Sequence, residues 1–255
     1  MINLTFPWSI QVGGSSVLFH QMTEWLSFFV AYRYYRFLKK RQGDSISSEN
    51  RLWILLGAAL GALIGSRLVG ALENPPAWQH SAQPFWYLYL NKTVLGGFLG
   101  GLLGVEGIKK VMGEQQSSGD LFTYPILLGL IVGRLGCFSM GVHEETYGTP
   151  TTFFMGMDLG DGLLRHPVSL YELFFLVVLW GLLTQIQKYI VLEEGALFKL
   201  FMISYLLFRF MLDFIKPHFT WKIGLSTIQV VALLGLLYYY RYLLNPKKLV
   251  KLSDA

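Results

Sequence analysis

An arginine interrupts the apolar run LLGLIVGRLGCFSMGVHEETYG (127–148), and a histidine and two adjacent acids follow it. A guanidinium at the centre of a bilayer costs about 2.5–3.5 kcal/mol on insertion scales. Arg134 therefore needs a compensating anion, and a ligand phosphate, which an arginine fork grips through two parallel hydrogen bonds, is one candidate. Other polar side chains stand in apolar surroundings: His20, Glu24, Arg67, Lys92, Tyr171, Glu172, Arg209 and Asp213. Each has an ordinary reading. Arg67 and Arg134 would snorkel to headgroups. Arg209 with Asp213, and His20 with Glu24, are spaced i,i+4 and would pair on one helix face. Lys92 would be an interfacial anchor, Cys137 a small buried hydrophobe, and His166, directly before Pro167, part of a helix start. Glu172 is harder to dismiss, because a carboxylate in an apolar segment requires a cation.

The elements that must position these groups follow from composition. The 255 residues are 53% hydrophobic and 15% charged, with mean hydropathy +0.44. Soluble domains carry about 25% charged residues, so the deficit points to an integral membrane protein. A span needs about 20 mostly apolar residues, and segments near 16–38, 51–73, 93–112, 122–142, 167–187, 196–215 and 224–244 satisfy this. Backbone groups in lipid must bond internally, which makes these segments helices. No alternating pattern suggests a barrel. The expectation is an all-α integral membrane protein of about seven transmembrane helices, one membrane domain over 1–255. The first residues, MINLTFPWSI, lack the basic start of a cleavable signal peptide.

Lys and Arg set the orientation. RYYRFLKKR follows the first span, IKKVMG the third, Lys188 the fifth, and NPKKLVKL closes the chain. These alternate loops are cytoplasmic, with the N-terminus outside and the C-terminus inside. The same topology accounts for the net charge of +5, so no nucleic-acid partner is expected. The external loops are rich in Trp, Tyr and Phe, suited to the interface. The single cysteine, Cys137, excludes an intrachain disulfide.

With orientation fixed, the polar residues of six spans fall at one depth, towards the outside; Glu106 is the main exception in the inner halves. That coincidence favours a shared outward cavity holding several arginines and carboxylates. The arginines suit phosphate and the carboxylates or histidines suit proton acceptance. The run GGFLGGLLG (96–104) would let helices approach closely or leave room for a lipid chain. It has no phosphate-loop ending. No HExxH or CxxC spacing is present, so no metal is expected.

These residues resemble the prolipoprotein diacylglyceryl transferase family, from the first span to the end of the seventh. GRLGCF (133–138) follows the family's Gly-Arg-x-Gly-Asn-Phe except at Cys137. RHPVSLYE (165–172) matches its Arg-His-Pro-x-x-Leu-Tyr-Glu throughout. Arg209 with Asp213 is similar to a family Arg followed four residues later by Glu, and LGGFLGG to the stretch His-Gly-Gly-Leu-x-Gly-Gly. The resemblance implies transfer of a diacylglyceryl group from phosphatidylglycerol to the lipobox cysteine thiol of a prolipoprotein, at the outer leaflet of the bacterial inner membrane, without a cofactor. It implies phospholipid contacts for Arg134, Arg209, Arg67, Lys92, Arg165 and His166, with Tyr171, Glu172, Asp213, His20 and Cys137 in support. The family histidine before Gly-Gly, a proposed base, is Leu95 here. His143, Glu145 and Glu24 are the candidates to replace it; Glu145 restores a family Glu-x-x-Gly piece if three residues are inserted. Two alternatives stay open on the residues alone: a paralog with another lipid donor or acceptor, and a non-catalytic lipid-binding protein that kept the phosphate cradle and lost the base.

Overall fold

The computed structural model describes residues 5–251. The two chain ends, Met1–Leu4 and 252–255, expected outside and inside respectively, lie outside the described residues. Where the first span was expected from residue 16, a short antiparallel hairpin of β1 (Ser9–Val12) and β2 (Ser15–Leu18) stands instead. Its two-residue turn, Gly13-Gly14, has positive φ at both positions, which suits a tight hairpin of this twist. Helix α1 (Phe19–Gln42) follows, carrying the basic cluster Lys39–Lys40–Arg41 in its last turn.

Helix α2 (Ser48–Leu72) is capped by the Ser47 side chain, which accepts from Asn50 N. The short helices α3 (Pro75–Gln79) and α4 (Pro84–Leu90) occupy the expected external loop. Between α4 and α5 (Val94–Met112) the chain bends by 88°. Thr93 caps the new helix through Gly96 N, and Thr93 N is bonded to Ser66 of α2, so the break leaves no orphan there. Helix α6 (Asp120–Met140) runs on into a 3₁₀ turn over Gly141–His143. A small hairpin of β3 (Met157–Asp158) and β4 (Leu164–Arg165) precedes α7 (Val168–Tyr189). Helix α8 (Ala196–Leu212) follows.

Among the described residues, helices α2, α6 and α7 are long and apolar enough to cross a membrane, and the bent α4–α5 pair is a fourth if it forms one span. The expected last span, 224–244, is interrupted. It is divided into α9 (Thr227–Tyr238) and α10 (Tyr240–Leu244). Residues 220–226 turn back on themselves through a Thr220–Ser226 bridge, so α9 starts only at the capping box of Ser226 and Gln229. Twelve residues rise about 18 Å, short of the ~30 Å hydrocarbon core.

The glycine run acts on two faces. Gly96, Gly100 and Gly104 of α5 meet Gly65, Gly61 and Gly57 of α2; a Cβ on Gly100 would lie 2.2 Å from the Gly61 carbonyl oxygen. Only glycine on both helices permits this approach. Gly97 and Gly101, one residue on, line a cavity. The close-approach reading of the run therefore holds, and Gly97 and Gly101, whose nearest atoms are also on α2, stand where that contact opens into the cavity. The apolar core lies around α8, where Phe201, Met202, Tyr205 and Leu206 are fully buried. By contrast Trp25, Phe29, Phe174 and Leu234 are exposed, as expected of surfaces that meet acyl chains.

Candidate active site

Helix α1 packs against α6, and α2 against α5. A cavity of about 1320 Å³ is bounded by residues of both pairs. Its walls are largely small or apolar, including Ala31, Ala58, Ala62, Phe98 and Leu102. One group of charged side chains gathers on the wall formed with α6, α7 and α8, while Glu106, Lys109, Lys199 and Arg241 line the cavity elsewhere.

The centre of that wall is Glu172, one turn into α7 and 1% exposed. Arg134 of α6 places Nε 2.9 Å from its Oε1, and Arg209 of α8 donates from Nη1 to its Oε2 at 2.8 Å. Tyr205, one turn before Arg209, donates to Oε1 at 2.6 Å. Both arginines are themselves buried. Two guanidinium groups thus share one carboxylate, which leaves a net positive charge in a low-dielectric wall. Arg209 Nε is buried with no hydrogen-bond partner among the described residues. An unpaired buried donor costs about 1–3 kcal/mol, and the Arg209 side chain lines the cavity. Arg134 Nη1 donates to Cys137 Sγ at 3.4 Å.

Of the residues singled out in the sequence, His20, Glu24, Arg67, Lys92, Arg134, Cys137, Glu145, Glu172 and Arg209 line this one cavity. Glu24 pairs with Lys92 across α1 and the α4–α5 break, both half-exposed. Arg67 lies over the Tyr89 ring, 5.0 Å from its centroid. The other candidates sit elsewhere. His143, at the end of the 3₁₀ turn, is exposed and outside the cavity lining. Arg165 pairs with Asp161 and stacks over Tyr147. His166 Nδ1 lies 3.1 Å from the Tyr171 hydroxyl. Tyr171 faces a separate apolar groove with Phe154 and Phe174. Asp213 does not pair with Arg209 as the i,i+4 spacing suggested; it accepts from Ser226 Oγ at the start of α9 and lies 3.6 Å from His218 Nδ1. Leu95, at the position of the family histidine, is 1% exposed and packed in the apolar core.

Three cavity residues, and Tyr205 behind Glu172, carried no sequence signal strong enough to single them out. Tyr205 has one in retrospect: it precedes Arg209 by four residues on the same helix face. Glu73, Glu144 and Lys216 lie just beyond helix ends, where periodicity fails. Burial, reinforced by the neighbouring Arg209 charge, pushes the Lys216 ammonium below the usual lysine range, against the pull of Glu73.

Residues 7–244 match the family model described as prolipoprotein diacylglyceryl transferase. The curated relatives that the chain matches include several named phosphatidylglycerol–prolipoprotein diacylglyceryl transferase. The protein of Bordetella parapertussis is 31% identical over 64% of this chain. That of a Wolbachia from Culex pipiens is 31% identical over 82% of this chain and 81% of its own length. That of Nitrosomonas europaea is 27% identical over 95% of this chain and 92% of its own length. The chain spans 63% of the length of the Bordetella relative. With a family model covering the described molecule almost from end to end, the chain belongs to the prolipoprotein diacylglyceryl transferase family.

Proposed function

We propose that this protein transfers a diacylglyceryl group from phosphatidylglycerol to the cysteine thiol of a prolipoprotein, at the outer leaflet of a bacterial inner membrane. The observation that carries this reading is the pair of buried arginines on one carboxylate, with Arg209 Nε unpartnered beside a lipid-sized cavity. Its about 1320 Å³ exceeds the roughly 300–1,000 Å³ of pockets for small ligands. The family membership and the printed names of the relatives support the donor and the acceptor.

Seven crossings fit the chain if α1, α8 and the α9–α10 pair join the four apolar candidates. The basic ends of α1 and α5 lie on the cytoplasmic side in that arrangement, and the Glu172 cluster lies towards the outside.

In the reaction, Arg134 and Arg209 hold the phosphate of the lipid, while Glu172 fixes their forks. The thiol loses its proton as sulfur attacks the glyceryl carbon. The carbon–oxygen bond to phosphate breaks, and glycerol phosphate leaves with the bonding electrons. The arginines stabilise the charge that grows on it. His143 lies away from the cavity, so the proton acceptor is assigned to the wall. Glu145 lines the cavity with no ion pair among the described residues and is the first choice. Glu24, held by Lys92, is the second.

The test is incubation of purified protein with phosphatidylglycerol and a lipobox peptide, followed by mass spectrometry. Expected is a diacylglyceryl thioether on the cysteine peptide and none on its Cys→Ala control. Turnover of the lipid without a modified peptide would favour a different acceptor, and binding without turnover a non-catalytic role. Glu145→Gln is expected to slow transfer at least ~100-fold while phospholipid binding persists; full transfer would remove Glu145 as the base.

A further inference from the structure

Three side chains on the cavity wall have no place in the transfer chemistry above. His20 opens α1, Cys137 is in the last turn of α6, and Glu144 follows the 3₁₀ turn. One donor atom from each, a ring nitrogen, the thiol sulfur and a carboxylate oxygen, all lie within 4.8 Å of one another. His20 Nδ1 and Glu144 Oε2 stand 3.5 Å apart. Both atoms are shielded from solvent, and neither has a hydrogen bond among the described residues. Two buried polar atoms that face each other and a sulfur without hydrogen-bond geometry between them are what a cation would reconcile.

We propose that His20, Cys137 and Glu144 form a three-ligand site for a divalent transition-metal ion, best suited to Zn²⁺. Sulfur and imidazole nitrogen disfavour Mg²⁺ and Ca²⁺, which take oxygen ligands. Zinc accepts sulfur, nitrogen and carboxylate oxygen together, and three protein ligands with one open position is its arrangement in reactive rather than purely structural sites. Tetrahedral bonds of 2.0–2.3 Å place the donors roughly 3.3–3.6 Å apart. The His20–Glu144 pair already meets this, and the sulfur needs to close by about 1 Å. The carboxylate and a thiolate balance the charge of the ion. The hydrogen bond from Arg134 Nη1 to Cys137 Sγ is the kind of outer contact that orients a metal-bound sulfur. All three residues line the cavity, so the fourth position faces it and would take an anionic oxygen. No sequence motif announces the site, because its ligands come from three separate elements.

The experiment uses purified full-length protein in lipid nanodiscs, stripped with a chelator and titrated with Zn²⁺ alone. Cys137 is the only cysteine, so alkylation of the protein reads this position directly. Expected is binding of one Zn²⁺ per chain, with alkylation at least ~10-fold slower in its presence. Co²⁺ in place of Zn²⁺ is expected to give a sulfur-to-metal charge-transfer band that Cys137→Ser abolishes. His20→Ala and Glu144→Gln should each weaken Zn²⁺ binding at least ~10-fold. Glu144→Gln, nearly isosteric, keeps the test valid if His20→Ala fails to fold. An unchanged alkylation rate with Zn²⁺, or equal Zn²⁺ affinity in the wild type and Glu144→Gln, would overturn the site.

Discussion

Among the described residues two buried arginine–carboxylate clusters stand out, and they differ in what remains unsatisfied. At the end expected to be cytoplasmic, Arg51 grips Asp44 through Nε at 2.8 Å and through Nη2, while Nη1 donates to the Ser118 carbonyl at 3.1 Å. Asp44 also accepts from Ile46 N and lies 3.2 Å from Lys39 Nζ. Every face of that guanidinium is used within the protein. At the other cluster two arginines share Glu172, and Arg209 Nε has no partner among the described residues. The first arrangement is a clasp joining the α1–α2 turn to the loop before α6. The second is the cluster that we propose as an anion site, its two arginines held by one carboxylate. Buried ion pairs alone therefore say little about function; the residual positive charge and unpaired donor distinguish the two.

The largest effect that would break this contrast is at Glu172. Glu172→Gln leaves two buried guanidinium groups facing each other, and a loss of about 3–5 kcal/mol in stability is expected, together with loss of transfer. Asp44→Asn should destabilise too, because Arg51 loses its only carboxylate. Below the variant's melting temperature, however, transfer should stay near wild type. Denaturation and transfer assays on both variants would check this, and inactivity of folded Asp44→Asn would erase the distinction.

A smaller effect concerns the helices that form the opposite wall. Gly100→Ala drives a methyl into the Gly61 carbonyl and is expected to cost about 1–3 kcal/mol. Gly101→Ala meets its nearest atom, the Ala58 carbonyl oxygen, at 3.4 Å, and should change stability by no more than about 0.5 kcal/mol. Thermal melts in nanodiscs separate the two. Equal shifts would mean that the seam is not the contact described.

The smallest effect is on pH. Burial raises the Asp44 carboxyl, but the hydrogen bonds and charge of Arg51 outweigh it and hold the group below its ordinary value. A carboxylate depressed in the folded state contributes stability that is present above its unfolded pKa of about 3.9 and lost as pH falls through the folded value. Wild type should therefore lose more stability than Asp44→Asn between about pH 5 and pH 3. Parallel melting curves would remove the linkage.

Much of the site was legible because its residues sit in contiguous helical motifs. GRLG and RHPVSLYE place Arg134 and Glu172 on apolar helices, where a charge demands a partner. FRFMLD carries Arg209, although its i,i+4 partner went instead to Ser226. The glycine run announced a close contact, and its partner stripe, Gly57, Gly61 and Gly65, has the same four-residue spacing and could have been found. The chain after Gly141 was not legible. In an irregular turn no period says which side chain points where, and adjacent residues diverge: His143 is exposed, while Glu144 faces His20. Likewise the hairpin before α1 and the break at Tyr239 override apolar runs that read as continuous spans.

The most direct measurement compares Arg209→Lys with Arg51→Lys in the lipobox-peptide transfer assay, each in folded protein with wild type alongside. Lysine keeps the charge but loses the fork. Expected is a fall of at least ~100-fold in kcat/KM for Arg209→Lys, with Arg51→Lys within about twofold of wild type. Equal turnover in the two variants, or wild-type turnover in Arg209→Lys, would contradict a phosphate cradle built on Arg209.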